Sequence, residues 1–127
     1  MAADYRFRKI NRLNKKSEIK QVFDTGKSIA NRDFVVYIKF NNLDYSRLCV
    51  IIAKKVMKKA VKRNRARRLI REYFRLNNHC FKKNGDFIFI VRKSYDLVDF
   101  KQTEESLSRL FAVNRLFKKT DTSKNNS

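Results

Sequence analysis

The sequence predicts an α+β sandwich, with helices packed on a small mixed sheet. Three observations predict it. Strand-like runs and helical periodicities follow one another in the order helix, strands, helix, strand, helix. The last strand-like run, DFIFIVRK (86–93), is almost continuously apolar, as suits a central strand buried on both faces. A strongly basic helix between the second and third strand-like runs carries a clean apolar stripe, which seats it against the sheet and not on a detached tail.

Taken in order, residues 1–16 are basic and aperiodic and are expected to form a flexible arm. Ser17 is placed to cap a short helix in which Ile19, Val22 and Phe23 share a face. Gly26, one of only two glycines, closes that helix. DFVVYIKF (33–40) is rich in β-branched and aromatic residues and is expected to be a strand. Phe34, Val36, Ile38 and Phe40 fall on one of its faces; Val35, Tyr37 and Lys39 fall on the other. NNLDY makes a polar turn, and RLCVIIAK (47–54) returns as a second strand. After the basic segment, NNHCFKKNGD forms a loop around Gly85 before the run at 86–93. Leu107, Leu110 and Phe111 space a last amphipathic helix from Asp99 or Thr103 to Lys119, and residues 120–127 are expected to be disordered. A chain of 127 residues suits one domain, here 17–119.

Composition narrows the function. The chain is 43% hydrophobic with eleven Phe, enough to build a core, yet its formal net charge is +20. Such an excess repels itself and calls for a polyanionic partner, nucleic acid before an anionic membrane. Residues 54–75 hold eleven Lys or Arg and one acid, so half the net charge is focused there. No apolar run nears the roughly 18 residues that span a bilayer. The first sixteen residues lack the apolar core of a secretory signal, so a cytoplasmic location is expected. Cys49 and Cys80 show no paired spacing and are expected to be reduced thiols.

On a helix of 3.6 residues per turn, Ala66, Leu69, Ile70, Tyr73 and Phe74 line one side. Asn64, Arg67, Arg68, Arg71 and Arg75 line the other, with Arg63 and Arg65 flanking them. Val56, Met57, Ala60 and Val61 break this register, so the helix is expected to begin near Lys59 or Ala60. Lys58, Lys59, Lys62 and Arg63 then crowd a helix N-terminus whose dipole is already positive, at a cost of about 0.3–1 kcal/mol each. A bound phosphate would satisfy the free N–H groups and these side chains together. Arginine in particular offers a bidentate fork to phosphate.

Protein-borne chemistry finds little support. His79 is the single histidine, and with Cys80 it falls short of the three or four ligands a zinc site needs. The twelve carboxylates show no acid–base pairing, and no Gly-rich phosphate loop is present. A DNA-reading helix would mix base-reading polar residues with its cations. Here nearly every outward position is cationic, so DNA is not an expected partner and structured RNA is.

AVKRNRARRLIREYFR (60–75) resembles the signature helix of the bacterial ribonuclease P protein subunit, with its Arg-Asn-Arg core at Arg63, Asn64 and Arg65. RLNKKSEIKQVFDTGKSIANRDFVVY, AKK and DFIFIVRK are similar, in order, to the family's opening helix and first strands, the turn before the basic helix, and the last strand. The resemblance implies an αβββαβα sandwich with a left-handed βαβ crossover. It implies a protein that binds a large catalytic RNA and precursor tRNA, whose 5′ leader the assembly removes with magnesium ions acting in the RNA. It carries the catalytic-RNA contact to Arg63, Asn64, Arg65, Arg67, Arg68 and Arg71, in a basic segment that also holds Lys54, Lys55, Lys59 and Lys62. It places the leader in a cleft at Ile19, Phe23, Val35 and Tyr37, with Lys39 on the same strand face. Three positions depart from the family pattern: Ile19 stands for a usual Phe, Cys49 for a glycine and Ile51 for a small polar residue. An RNA-binding protein of similar fold with no tie to cleavage is the competing expectation.

Overall fold

The computed structural model describes residues 8–95 and 99–118. Its elements are α1 (Lys16–Thr25), β1 (Lys27–Ala30), β2 (Phe34–Phe40), β3 (Arg47–Ile51), α2 (Ala60–Asn77), β4 (Gly85–Val91) and α3 (Phe100–Val113). The strands form one sheet in the order β1-β2-β4-β3. β1–β2 and β2–β4 are antiparallel, while β3 and β4 are parallel. Parallel neighbours need a long crossover, and α2 supplies it. The expected α+β sandwich with a small mixed sheet is therefore the fold observed.

β4 lies inside the sheet and is buried on both faces, as its unbroken hydrophobicity requires. Phe87, Phe89 and Val91 join Phe34, Val36 and Ile38 in the main core, under Ile70 and Phe74 of α2 and Leu107 and Phe111 of α3. Ile88 points the other way, into a smaller core with Leu13 and Val22. Two cores, one per face, clamp the sheet.

Gly26 is required by proximity, since its φ of −79° suits any residue. A Cβ there would sit 2.5 Å from the Val22 carbonyl oxygen and 2.6 Å from that of Ile38. The end of α1 thus presses directly on β2.

Several expectations need correction. The arm is docked from Lys9 to Leu13: residues Lys9–Asn11 form a 3-10 turn, Leu13 is buried, and its N–H donates to the Leu48 carbonyl at 2.9 Å. Leu13 buries its side chain beside β3 while Ile10 stays half exposed, and the buried Asn11 donates to the Ser46 carbonyl at 2.8 Å. Ser17 does not cap α1; the helix starts at Lys16 after an extended Lys15, with no side-chain cap. β1 emerges only through its register with β2, since Ile29 alone among its residues is buried. β3 ends at Ile51, three residues before the expected limit, because the chain must turn at 54–56 to enter α2. Phe40 leaves the core face and lies between the Lys27 and Lys83 ammonium groups, 5.3 and 5.6 Å from its ring centroid. The loop after α2 is partly ordered: Asn78–Cys80 make a 3-10 turn and Phe81 is buried.

α3 begins where Asp99 accepts a hydrogen bond from the Gln102 N–H at 2.9 Å, one of the two expected starts. It stops at Val113, short of Lys119. Arg115 takes a left-handed φ of 59°, and Leu116 turns back into the core. Phe117 then bridges antiparallel to Phe81. Burying these two apolar side chains outweighs another helical turn. Residues 1–7 of the arm and the tail 120–127 lie outside the described residues.

Candidate RNA interface

α2 begins at Ala60, with Lys59 as an N-cap that offers no side-chain hydrogen bond and no acid in the first turn. Lys58, Lys59 and Lys62 around this helix start are exposed. Val56 and Met57 pack on the main core, so the preceding turn is anchored while Lys54 and Lys55 stay exposed. Arg63 reinforces this turn: its Nη1 donates to the carbonyls of Met57 at 2.9 Å and Lys58 at 2.8 Å. Arg63 therefore shapes the lysine turn as well as adding charge to it.

Along α2, Ala66, Ile70, Tyr73 and Phe74 are buried and Leu69 is half-buried, which is the stripe the spacing predicts. Asn64, Arg65 and Arg68 are exposed, and Arg67 and Arg71 are half-buried. Asn64, Arg67, Arg68, Arg71, Glu72 and Arg75 line one shallow depression. Arg67 Nη1 donates to Asn64 Oδ1 at 3.2 Å, and Arg75 forks onto Glu72 at 2.7 and 3.0 Å. The Arg75 hydrogen bond holds the Glu72 carboxyl below its usual range. The single acid of the segment is thus held by Arg75 toward the C-terminal end of the helix.

Arg12 is the functional candidate that spacing could not reveal. Docking of the arm brings it beside Arg71, whose pKa is lowered first by burial and then by the Arg12 and Arg67 charges. Three guanidinium groups so gathered repel one another and gain from an anion. Beneath them lies Cys49, a free half-buried thiol that burial pushes up and Arg67 and Arg71 pull back down. The basicity of the arm was a signal for Arg12; its position was not legible without the Leu13–Leu48 contact.

The second group of residues lies on the sheet face opposite the main core. The register builds three rows across β2, β4 and β3: Val35–Ile90–Ile51, Tyr37–Ile88–Cys49 and Lys39–Asp86–Arg47. α1 covers part of this face. Val22 is buried in the small core, and Ile19, Tyr37, Cys49, Ile51 and Ile90 are half-buried against it. Phe23 remains 37% exposed and meets the Tyr37 ring edge to face. α1 therefore covers part of this face, and the half-buried apolar row Val35–Ile90–Ile51 lies beside the Phe23–Tyr37 pair. Ile90 was hidden in the sequence by the continuous hydrophobicity of its strand. The Ile51 and Cys49 departures lie in or beside this row, where they make it more apolar.

The third row locks α1 in place. Arg47 forks onto the buried Asp86 at 2.8 and 2.7 Å and reaches Glu18 of α1 at 3.1 Å. Lys39 sits in that polar row, two rows from Val35 and Ile90.

His79 and Cys80 lie beyond α2, with Sγ 3.3 Å from Nε2. Among the described residues no three His, Cys, Asp or Glu side chains converge as a metal ion would require. No helix among them is long and apolar enough to cross a membrane.

Comparison with known proteins gives a consistent result. The Ribonuclease P family model matches residues 7–115. A ribonuclease P protein component of Bacillus pumilus is 40% identical over 111 residues, covering 87% of this chain and 92% of that protein. One from Clostridioides difficile is 42% identical over 105 residues, covering 82% and 91%. The solved structure of the Staphylococcus aureus RNase P protein superposes with a TM-score of 0.76 at 31% identity, covering 85% of this chain and 98% of the other.

Proposed function

We infer the role of this chain from one premise: it belongs to the ribonuclease P protein family. In this reading it is the protein component of a ribonucleoprotein endonuclease. It binds the catalytic RNA and the 5′ leader of precursor tRNA, and so promotes release of mature tRNA 5′ ends. The observation that carries the reading is the cationic face of α2, where Arg67, Arg68 and Arg71 gather near Arg12 around one depression whose single acid, Glu72, is held by Arg75.

The physical roles divide by site. Guanidinium N–H groups of Arg65, Arg67, Arg68 and Arg71 donate to phosphate oxygens of the catalytic RNA and release its counterions. Arg63, Asn64 and the turn lysines Lys54, Lys55, Lys59 and Lys62 extend this contact to the N-terminus of α2, whose dipole favours an anion. The cleft of Ile19, Phe23, Val35, Tyr37 and Ile90 takes the single-stranded leader. Aromatic rings stack on any base, which suits leaders of varied sequence. Lys39 meets the leader backbone at the polar end.

The hydrolytic chemistry belongs to the RNA, with magnesium ions supplying charge stabilisation there. The protein contributes cations that lower the cost of folding RNA phosphates together, and a groove that holds the leader in register.

Reconstitution tests this. The purified chain is mixed with a bacterial catalytic RNA and precursor tRNA at low magnesium. Leader removal should be enhanced over RNA alone. Absence of enhancement would leave an RNA binder of this fold with no part in cleavage.

A further inference from the structure

We propose that the protein carries a second site for an RNA phosphodiester chain, in the cleft between the docked arm, the 44–45 turn and the segment following α2. The proposal deepens the reading above and rests on it. The cleft has a volume of about 630 Å³ and is lined by Arg8, Tyr45, His79, Lys82, Lys83 and Lys118, among others. Clefts of roughly 300–1,000 Å³ hold small organic ligands, so a nucleotide fits.

Both walls are built rather than accidental. On one side, Phe81 and Phe117 bridge antiparallel and turn their rings toward the core. The Lys82 N–H donates to the Leu116 carbonyl at 2.7 Å, and the Lys118 N–H donates to that of Cys80 at 2.8 Å. Side chains alternate along extended chain, so Lys82 and Lys118 face away from the core and into the cleft. The Lys83 ammonium is held above the Phe40 ring. On the other side, buried Asn11 donates to the Ser46 carbonyl at 2.8 Å and accepts from the Arg8 N–H at 2.9 Å, pinning the arm.

Charge selects the occupant. Asp44 is the one carboxylate in the lining, and among the described residues Lys82, Lys83 and Lys118 make no ion pair. Three ammonium groups on backbone positions fixed by the Phe81–Phe117 bridge and the Lys83–Phe40 contact match successive phosphates better than a single small anion. The half-buried Tyr45 ring offers a surface for a base. The cleft shares no lining residue with the depression on the arginine face. It lies beyond the opposite end of α2 from the lysine turn, and that helix of 18 residues is about 27 Å long. RNA touching both ends of α2 is fixed in orientation, which one patch alone does not achieve.

The test compares two triple variants of the full chain: K82A/K83A/K118A, and a control, K93A/K101A/R109A, that removes the same charge elsewhere. Affinity for the catalytic RNA, and for precursor tRNA on the assembled complex, is measured across monovalent salt. The cleft variant should flatten the log–log slope by about 2, at roughly 0.7–0.9 per lost phosphate contact, in whichever arm supplies the RNA. The control should keep the wild-type slope. A cleft variant indistinguishable from wild type in both arms, or from the control, overturns the second site alone. Wild-type protein that ignores the catalytic RNA defeats the family-based reading and this site with it.

Discussion

Phe23 of α1 meets Tyr37 of β2 edge to face, with ring centroids 4.8 Å apart and planes at 65°. The contact ties the helix to the sheet at the rim of the apolar cleft. It also holds the Tyr37 ring in place, so under the proposed function a leader base beside Val35 and Ile90 would meet an ordered aromatic surface.

Replacing that ring should separate the two tRNA forms. Tyr37→Ala is expected to weaken binding of precursor tRNA to the assembled complex by about 5- to 150-fold, the equivalent of one base stack at roughly 1–3 kcal/mol. Mature tRNA, which lacks the leader, should bind as before. Equal losses for both forms would remove the cleft from the account.

The Arg47–Asp86 fork should matter for stability more than any pair on the surface. Asp86 has 6% side-chain exposure and Arg47 17%, so removing the arginine leaves a buried carboxylate. Breaking such pairs costs about 3–5 kcal/mol. Asn41 still donates to Asp86 at 2.9 Å, which sets Arg47→Ala near the lower end, about 3 kcal/mol. Urea unfolding measures it; a loss below about 0.5 kcal/mol, the scale of ordinary surface changes, contradicts the assignment.

Alkaline pH should destabilise the fold. Burial raises the Tyr73 phenol well above its ordinary 10.0, against a smaller lowering by the Ser108 hydrogen bond. Burial likewise raises Tyr95 and the Cys49 thiol, whose ordinary values are 10.0 and 9.0. The unfolded chain releases these protons first, so above pH 9 the folded state binds more protons and stability falls as pH rises. Below that the three groups contribute no slope. Urea midpoints between pH 7 and 11 should decline from about pH 9, and Tyr73→Phe should flatten the decline above pH 10. An unchanged decline in that variant would free Tyr73 from its role.

Much of the interface was legible because it obeys a single period. The Ala66–Ile70–Tyr73–Phe74 stripe dictates which way the arginines face, and DFIFIVRK announces a central strand by having no polar face. What stayed hidden depends on distant partners. Leu13 is one apolar residue in a basic run, and only Leu48 makes it a docking point that delivers Arg12 to Arg71. The end of α3 was unreadable because neither Gly nor Pro marks it; Arg115 takes the left-handed turn itself, driven by burial of Leu116. The cleft was half visible: alternation separated Tyr37 from Phe34, Val36 and Ile38, but it could not show that α1 would cover part of the same face.

The central claim is that the arginine face of α2 holds structured RNA through its phosphates. Its most direct test is the salt dependence of catalytic-RNA binding by wild type and by the Arg67→Ala/Arg68→Ala double variant. Wild type should bind with a steep log–log slope, and the double variant should be shallower by roughly 1.5 at about 0.7–0.9 per contact. Equal slopes for the two proteins, or wild-type binding indifferent to salt, would contradict it.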